Sequence, residues 1–378
     1  MTMKFLHIAD LHLGKILLQQ NLLPLQNELL DNIVTHMNTA NIPVLVIAGD
    51  IYDRSVPSSE AIATLNAFLY RLIIQHHKKV LIISGNHDSS ERLQFASDLL
   101  KQQGLYIVTY PPKVITPIVI DNVYFYLVPF FKPSYIRYLY KDDGIQTYQE
   151  AFTTYLKHQN IDTSKANVLV THQFVAGSKE PVTSESEAIL SVGGSEIIDA
   201  STFDDFDYVA LGHLHASQKM KRETVRYSGS LMKYSFDEVN QTKGVVEVEI
   251  ENKVVTYKVI PLQPSRDLKK YQGLFKSFLD PVTIMSKEDY ISFALEDTMM
   301  IPNAIDQLRQ IYPNVLQITY PHMLQQSHDA KTKASTQFES LTIDTLFKEF
   351  YNNMTGEELS EDLTKIVQKM IGGEPDAS

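Results

Sequence analysis

Apolar and polar positions in this chain fall into a repeated arrangement: an unbroken apolar run ending in a side chain able to bind metal. Residues 5–12, 44–50, 80–88, 168–172 and 208–215 all show it. Runs of this length, rich in Val, Ile and Leu, read as strands buried on both faces. In α/β sheets, ligands collect just beyond the carboxyl ends of such strands. The pattern predicts one site built from five loops, carrying Asp10, His12, Asp50, Asn86, His172, His213 and His215.

Between these runs the period changes. Residues 22–38 and 58–76 carry apolar side chains at helical spacing, with Pro57 and Ser58 suited to a helix start. Asp88 and Glu91 match a capping box, predicting a helix that runs to about residue 103. Residues 114–128 read as strands around Asp121-Asn122, and residues 147–158 as a helix. Residues 174–201 form a long polar segment, of the kind that is functional or mobile in a compact domain. Short alternating runs from 226 to 260 suggest antiparallel strands closing a domain.

The pattern resets after Pro261 and Pro264. Strand, helix, strand (290–295, 303–312, 314–320) make a small α+β unit, and residues 326–337 read as a polar linker. In the tail, Ile343, Leu346, Phe347 and Phe350, then Leu359, Leu363, Ile366, Val367 and Met370, form two amphipathic stripes around Thr355-Gly356. Such a helical hairpin needs a surface to dock on, either on this chain or on a partner. The expected domains are therefore 1–265, 266–325, the linker 326–337 and the hairpin 338–378. The fold class is α/β.

Composition narrows the setting. A chain of 378 residues, 44% hydrophobic, is ample for more than one domain. No apolar run approaches the roughly 18–20 residues of a membrane span. A strand begins almost at the first residue, so no secretory leader is expected, and a cytoplasmic location is. With no cysteine there is no disulfide, thiolate ligand or cysteine nucleophile. The net charge of −11 opposes bulk attraction to nucleic acid. Lys219, Lys221, Arg222 and Arg226 form either a local basic surface or an ordinary solvated face.

Oxygen and imidazole donors without thiolate favour Mn²⁺, Fe²⁺ or Zn²⁺ in a reactive site over a structural zinc. Two ions ~3.5–4 Å apart need a bridging carboxylate, and Asp50 is the natural one. Asp10 with His12, and His213 with His215, are two apart, so each pair is expected to share a strand face. Asp88 is expected to cap its helix or orient a histidine. His7 should pack within its strand, and His36, His76, His77 and His158 should lie at the surface.

Asp10-x-His12, Gly49-Asp50-x-x-Asp53, Gly85-Asn86-His87-Asp88, His172 and Gly212-His213-x-His215 together resemble the calcineurin-like metallophosphoesterase signature. More narrowly, His172-Gln-Phe-Val-Ala-Gly, Leu190-Ser-Val-Gly-Gly and residues 226–236 are similar to the SbcD family, bacterial nuclease subunits that work with the ATPase SbcC. The likeness is strong over residues 3–260 and looser beyond. It implies a four-layer β-sandwich flanked by helices, with a small α+β capping domain that binds DNA and a C-terminal hairpin that binds SbcC. It also implies Mn²⁺-dependent 3'-5' double-strand exonuclease and hairpin or single-strand endonuclease activity in DNA-end processing, repair, replication and recombination.

The resemblance further implies one Mn²⁺ (Mg²⁺, Fe²⁺ or Zn²⁺ being possible) on Asp10, His12, Asp50 and His215, and a second on Asp50, Asn86, His172 and His213. His87 would be the catalytic histidine. Asp53, Arg226, Tyr227 and Ser228 are candidate substrate contacts, although relatives often carry a histidine where Asp53 stands. A homodimer through the helices of residues 22–38 and 58–76, a heterotetramer with SbcC, and a nucleoid-associated cytoplasmic location are expected, with no membrane partner. The alternatives are a stand-alone phosphatase or small-nucleotide phosphodiesterase, which needs neither cap nor hairpin, and a metal-bearing scaffold without turnover.

Overall fold

Alternate residues of each apolar run go to opposite faces of a sheet, and here both faces are covered. Phe5, Val44, Val46, Leu81 and Ile83 point one way, into a core shared with Phe125, Val168, Val170, Tyr208 and Ala210 of a second sheet. Leu6, Ile8, Leu45, Ile47, Val80 and Ile82 point the other way, onto Leu29, Ile33, Met37, Leu65 and Phe68 from helices. On the far side of the second sheet, Tyr126, Leu169, Val209 and Val225 meet Phe152, Tyr155 and Phe203. The result is four layers: helix, sheet, sheet, helix. The computed structural model describes residues 2–177, 179–187, 196–280, 286–322 and 363–364.

The first sheet has the order Val254–Pro261, Gly244–Glu251, Met3–Ile8, Val44–Ala48, Lys79–Ile83, Leu105–Val108. Its last four strands run parallel, and the first two form an antiparallel hairpin beside them. The second sheet has the order Gln218–Met220, Arg222–Tyr227, Tyr208–Gly212, Ala166–His172, Val123–Val128, Ile118–Ile120. Its central four strands are parallel. Parallel pairing sends the carboxyl ends of five ligand-bearing strands to the same rim, as the sequence pattern predicts.

Several local expectations need correction. Strands end at Ile8 and Gly212, so Asp10, His12, His213 and His215 lie in loops rather than on a shared strand face. The helix expected from Asp88 is capped instead by Ser89, whose side chain accepts from the Arg92 N–H. It stops at Gln94, and a left-handed Ala96 separates it from a second turn, Ser97–Leu100. The helix Pro133–Tyr140 was not anticipated, since Ile136 is its only buried residue. The helix Leu23–Thr39 spends its apolar stripe on its own sheet, with Leu29, Leu30, Ile33, Val34 and Met37 buried. Its apolar content therefore needs no second chain to cover it.

The described residues fall into two compact units. One takes the described parts of Met1–Lys270 with Ser286–Ser292 and Tyr312–Gln317, and the other takes the described parts of Tyr271–Met285, Phe293–Ile311 and Ile318–Ser378. The strands Leu268–Gly273, Tyr290–Leu295 and Val315–Thr319 pair in that order. The sequence pattern missed the first because Leu-Lys-Lys-Tyr-Gln-Gly buries only its leucine. In the second unit the Phe278 ring lies 4.6 Å from that of Phe293. The linker 326–337 and, apart from Leu363 and Thr364, the hairpin 338–378 lie outside the described residues. No helix among the described residues is long and apolar enough to cross a membrane.

Candidate metal centre

Backbone hydrogen bonds stitch the first two loops together before any side chain is considered. Asp10 N donates to Gly49 O at 3.1 Å, and His12 N donates to Asp50 O at 3.0 Å. Asp10, His12, Asp50 and His213 all adopt positive φ (52°, 43°, 49° and 114°). Strain of this kind in non-glycine residues persists only where the surroundings over-determine it, commonly at functional sites. Two motif glycines are required by close approach. A Cβ on Gly85 would lie 2.1 Å from Asp50 Oδ1, and one on Gly212 would lie 1.9 Å from Ala48 O.

The side chains converge in two groups. In one, His12 Nε2 and His215 Nε2 face each other at 3.1 Å, and Asp10, His12 and His215 can offer ligand atoms to a common point. In the other, Asn86 Oδ1 lies 3.0 Å from both His172 Nε2 and His213 Nδ1. Asp50 stands between them. Its Oδ2 is 3.7 Å from His12 Nε2 and 3.3 Å from His172 Nε2, while its Oδ1 accepts the His87 N–H at 2.9 Å. All seven candidate ligands thus meet at one rim of the sandwich.

Burial shapes the protonation of this cluster. It lifts Asp10 to about 7 against the pull of His172 and His215. It also drives His12 well below the usual imidazole value and His213 down to about 3. His172 resists burial because the carboxylates of Asp50 and Asp10 outweigh it, raising His172 to about 9. Asp50 falls well below the usual carboxylate range despite burial, mainly through His172. Four imidazoles, two carboxylates and an amide oxygen are therefore gathered with little water to solvate them. Imidazole nitrogens and carboxylate oxygens that converge on common points, with His12 Nε2 and His215 Nε2 facing each other at 3.1 Å, suit divalent cations, so the residues fit a two-metal centre.

His87 sits beside the cluster, its ring centroid 4.8 Å from that of His12. Its Nδ1 donates to Asp53 O at 3.0 Å, which turns Nε2 toward the centre, 4.0 Å from Asp50 Oδ2. The Asp53 carboxylate pairs with Lys15 at 2.9 Å. The other candidate substrate contacts are engaged elsewhere. Arg226 stacks 4.0 Å over Tyr257 and donates to Glu223 O, Tyr227 OH donates to Gln173 O at 2.8 Å, and Ser228 is buried. The basic cluster is partly paired as well. Lys219 pairs with Glu223, Lys221 with Asp204, and Arg222 donates to the carbonyls of Phe203 and Asp207.

Supporting residues escaped the sequence reading. Asp88 does not cap a helix; its carboxylate accepts from the N–H groups of Gly85, Ile51 and Tyr52 at 2.9–3.1 Å, tying two ligand loops together. Gln26 is fully buried, and its amide donates to Leu11 O and His12 O at 2.9 and 2.8 Å. A polar residue inside the apolar stripe of a helix was the signal for it. His7 packs as expected, with Nδ1 3.0 Å from Tyr208 OH. His36 was expected at the surface but is partly buried against Glu247 at 2.9 Å.

Comparison with known proteins identifies the family. The calcineurin-like phosphoesterase profile matches residues 3–217. A profile described as the type 5 capsule protein repressor C-terminal domain matches residues 264–355. The chain is 36% identical over 375 residues to the SbcD component of the nuclease SbcCD from Staphylococcus saprophyticus, covering 98% of both chains. It is 37% identical over 366 residues to that of Staphylococcus epidermidis, covering 95% of both. Among solved structures, a dimetal phosphatase from Danio rerio aligns over 70% of this chain and 99% of its own, at 14% identity and TM-score 0.38.

Proposed function

The chain belongs to the calcineurin-like phosphoesterase family, with the SbcD components of SbcCD nucleases as full-length relatives, and on that premise we propose that it is a two-metal DNA nuclease. The observation that carries the two-metal reading is Asp50 Oδ2, placed between His12 and His172. One Mn²⁺ is assigned to Asp10, His12, Asp50 and His215, the other to Asp50, Asn86, His172 and His213. Two such ions would supply a hydroxide nucleophile near neutral pH and charge neutralisation on the phosphate oxygens. The protein's own residues do the rest. His172 and His213 turn different ring nitrogens, Nε2 and Nδ1, toward Asn86. With Nδ1 held by Asp53 O, a protonated His87 can give its Nε2 proton to the departing sugar oxygen.

The substrate class rests on the relatives and on the sequence beyond residue 264, which a stand-alone phosphatase does not need. Duplex ends and hairpins are the proposed DNA substrates, in the cytoplasm at the nucleoid. The test is end-labelled duplex and hairpin DNA with Mn²⁺, with and without SbcC, beside a small phosphate monoester. Metal-dependent DNA cleavage is expected; turnover of the monoester alone would favour the phosphatase reading.

The proposed assembly is a homodimer joined to SbcC as a heterotetramer. An apolar groove of about 660 Å³ lined by Pro57, Ile62, Leu65, Leu69, Leu93 and Phe95 supports the dimer, with Phe95 83% exposed. Light scattering at micromolar concentration should give twice the chain mass, and Phe95→Glu should lower it; a monomeric wild type would remove the proposal. For SbcC, the tail is the proposed attachment. Deleting residues 338–378 should leave Mn²⁺-dependent cleavage intact and abolish capture of SbcC, because the two apolar stripes contribute no candidate ligand and such contacts depend on a few large anchors. Undiminished capture would assign the hairpin to packing on its own chain.

A further inference from the structure

The histidines around the metal centre are anchored differently. His172 Nδ1 donates to the backbone carbonyl of Ala48 at 2.8 Å, and His87 Nδ1 to that of Asp53. His215 instead turns Nδ1 to side chains: Ser186 Oγ at 2.7 Å and Glu238 Oε1 at 3.3 Å, with Ser186 also hydrogen-bonded to that same carboxylate. Glu238 has no exposed surface. Its Oε2 pairs with buried Lys243 at 2.6 Å, and Lys243 donates back to His215 O at 2.8 Å and to Ser230 Oγ at 2.9 Å. The His215 N–H is taken by Glu187 at 2.6 Å.

We propose that Glu238, with Lys243 as its counter-charge, is the positioning residue for His215 and sets the affinity of the metal ion that His215 binds. A buried ion pair is a costly way to fill a core, since well-packed apolar residues of similar volume usually serve stability as well or better. The pair's geometry supplies a different property. A carboxylate accepting from Nδ1–H fixes the tautomer whose Nε2 lone pair faces the ion, and it raises the basicity of that nitrogen. Nε2 is the atom His215 presents to His12 at 3.1 Å. Ser186 and Glu187, neighbours in the chain, thus both hold His215.

The inference rests on the two-metal reading, and one experiment separates the two. Mn²⁺ is titrated into the full-length protein, free ion is followed by electron paramagnetic resonance, and melting temperature is recorded alongside. Wild type should bind two ions; a single ion would defeat the two-metal reading itself. Glu238→Leu with Lys243→Met removes the carboxylate and its counter-charge together, leaving Ser186 Oγ on Nδ1 and no unpaired buried charge from the pair, so the fold should hold. One of the two ions should weaken ~10–100-fold, the usual cost of losing an outer partner of a ligand. Glu238→Gln with Lys243→Met returns an acceptor to Nδ1–H and should recover most of that loss. Ser186→Ala, on a half-buried segment, probes the same contact even if the core variants do not fold, and should weaken the same ion several-fold. Wild-type affinity in the Leu/Met and Ser186→Ala variants, or equal loss of both ions, would overturn the proposal.

Discussion

Asp50→Asn is expected to weaken both metal ions together and to remove hydrolysis with them, whereas His12→Ala should chiefly weaken one. The substitution keeps the shape of the side chain and discards its charge. That charge stands 3.3 Å from His172 and 3.7 Å from His12, one histidine from each group. It is also what raises His172 against burial, so the asparagine variant leaves that imidazole without its main counter-charge. The loss should exceed the ~10–100-fold cost of removing a partner outside the ligand set. Manganese titration of both variants reads the outcome directly. Equal stoichiometry losses in the two would sink the bridging assignment.

His87→Ala should slow DNA cleavage ~10²–10⁴-fold, the range for losing a general acid, while both ions stay bound. His87 donates Nδ1–H to a backbone carbonyl and keeps Nε2 toward the centre, and the seven assigned ligands do not include it, although His87 could also offer an atom to a common point with His12 and Asp53. Its backbone N–H, which survives the substitution, still reaches Asp50 Oδ1. The check is a single-turnover rate paired with metal analysis. A variant that has lost an ion would move His87 into the ligand set.

How much of this was legible in the sequence depends on range. The five strands and their seven polar endings were readable because burial on both faces forces continuous apolar runs, and parallel pairing sends every ending to one rim. The helix start at Ser58, beside Pro57, was readable from local signals alone. What depends on a partner distant in sequence was not. Asp88 looks like a cap until the Asp50 loop, 37 residues away, brings its N–H groups to that carboxylate. Glu238 lies 23 residues beyond His215, and nothing in Phe-Asp-Glu-Val-Asn marks one acidic residue as buried. For the basic cluster the sequence left two readings open; Glu223 is a local partner of Lys219, whereas Asp204 is brought to Lys221 by the fold.

The central claim is that two divalent ions share Asp50. Crystals grown with Mn²⁺ and measured near the manganese absorption edge test it most directly. Two anomalous peaks ~3.5–4 Å apart are expected, one beside Asp10, His12 and His215, the other beside Asn86, His172 and His213, with Asp50 Oδ2 touching both. A single peak, or two peaks of which only one contacts Asp50, would contradict it.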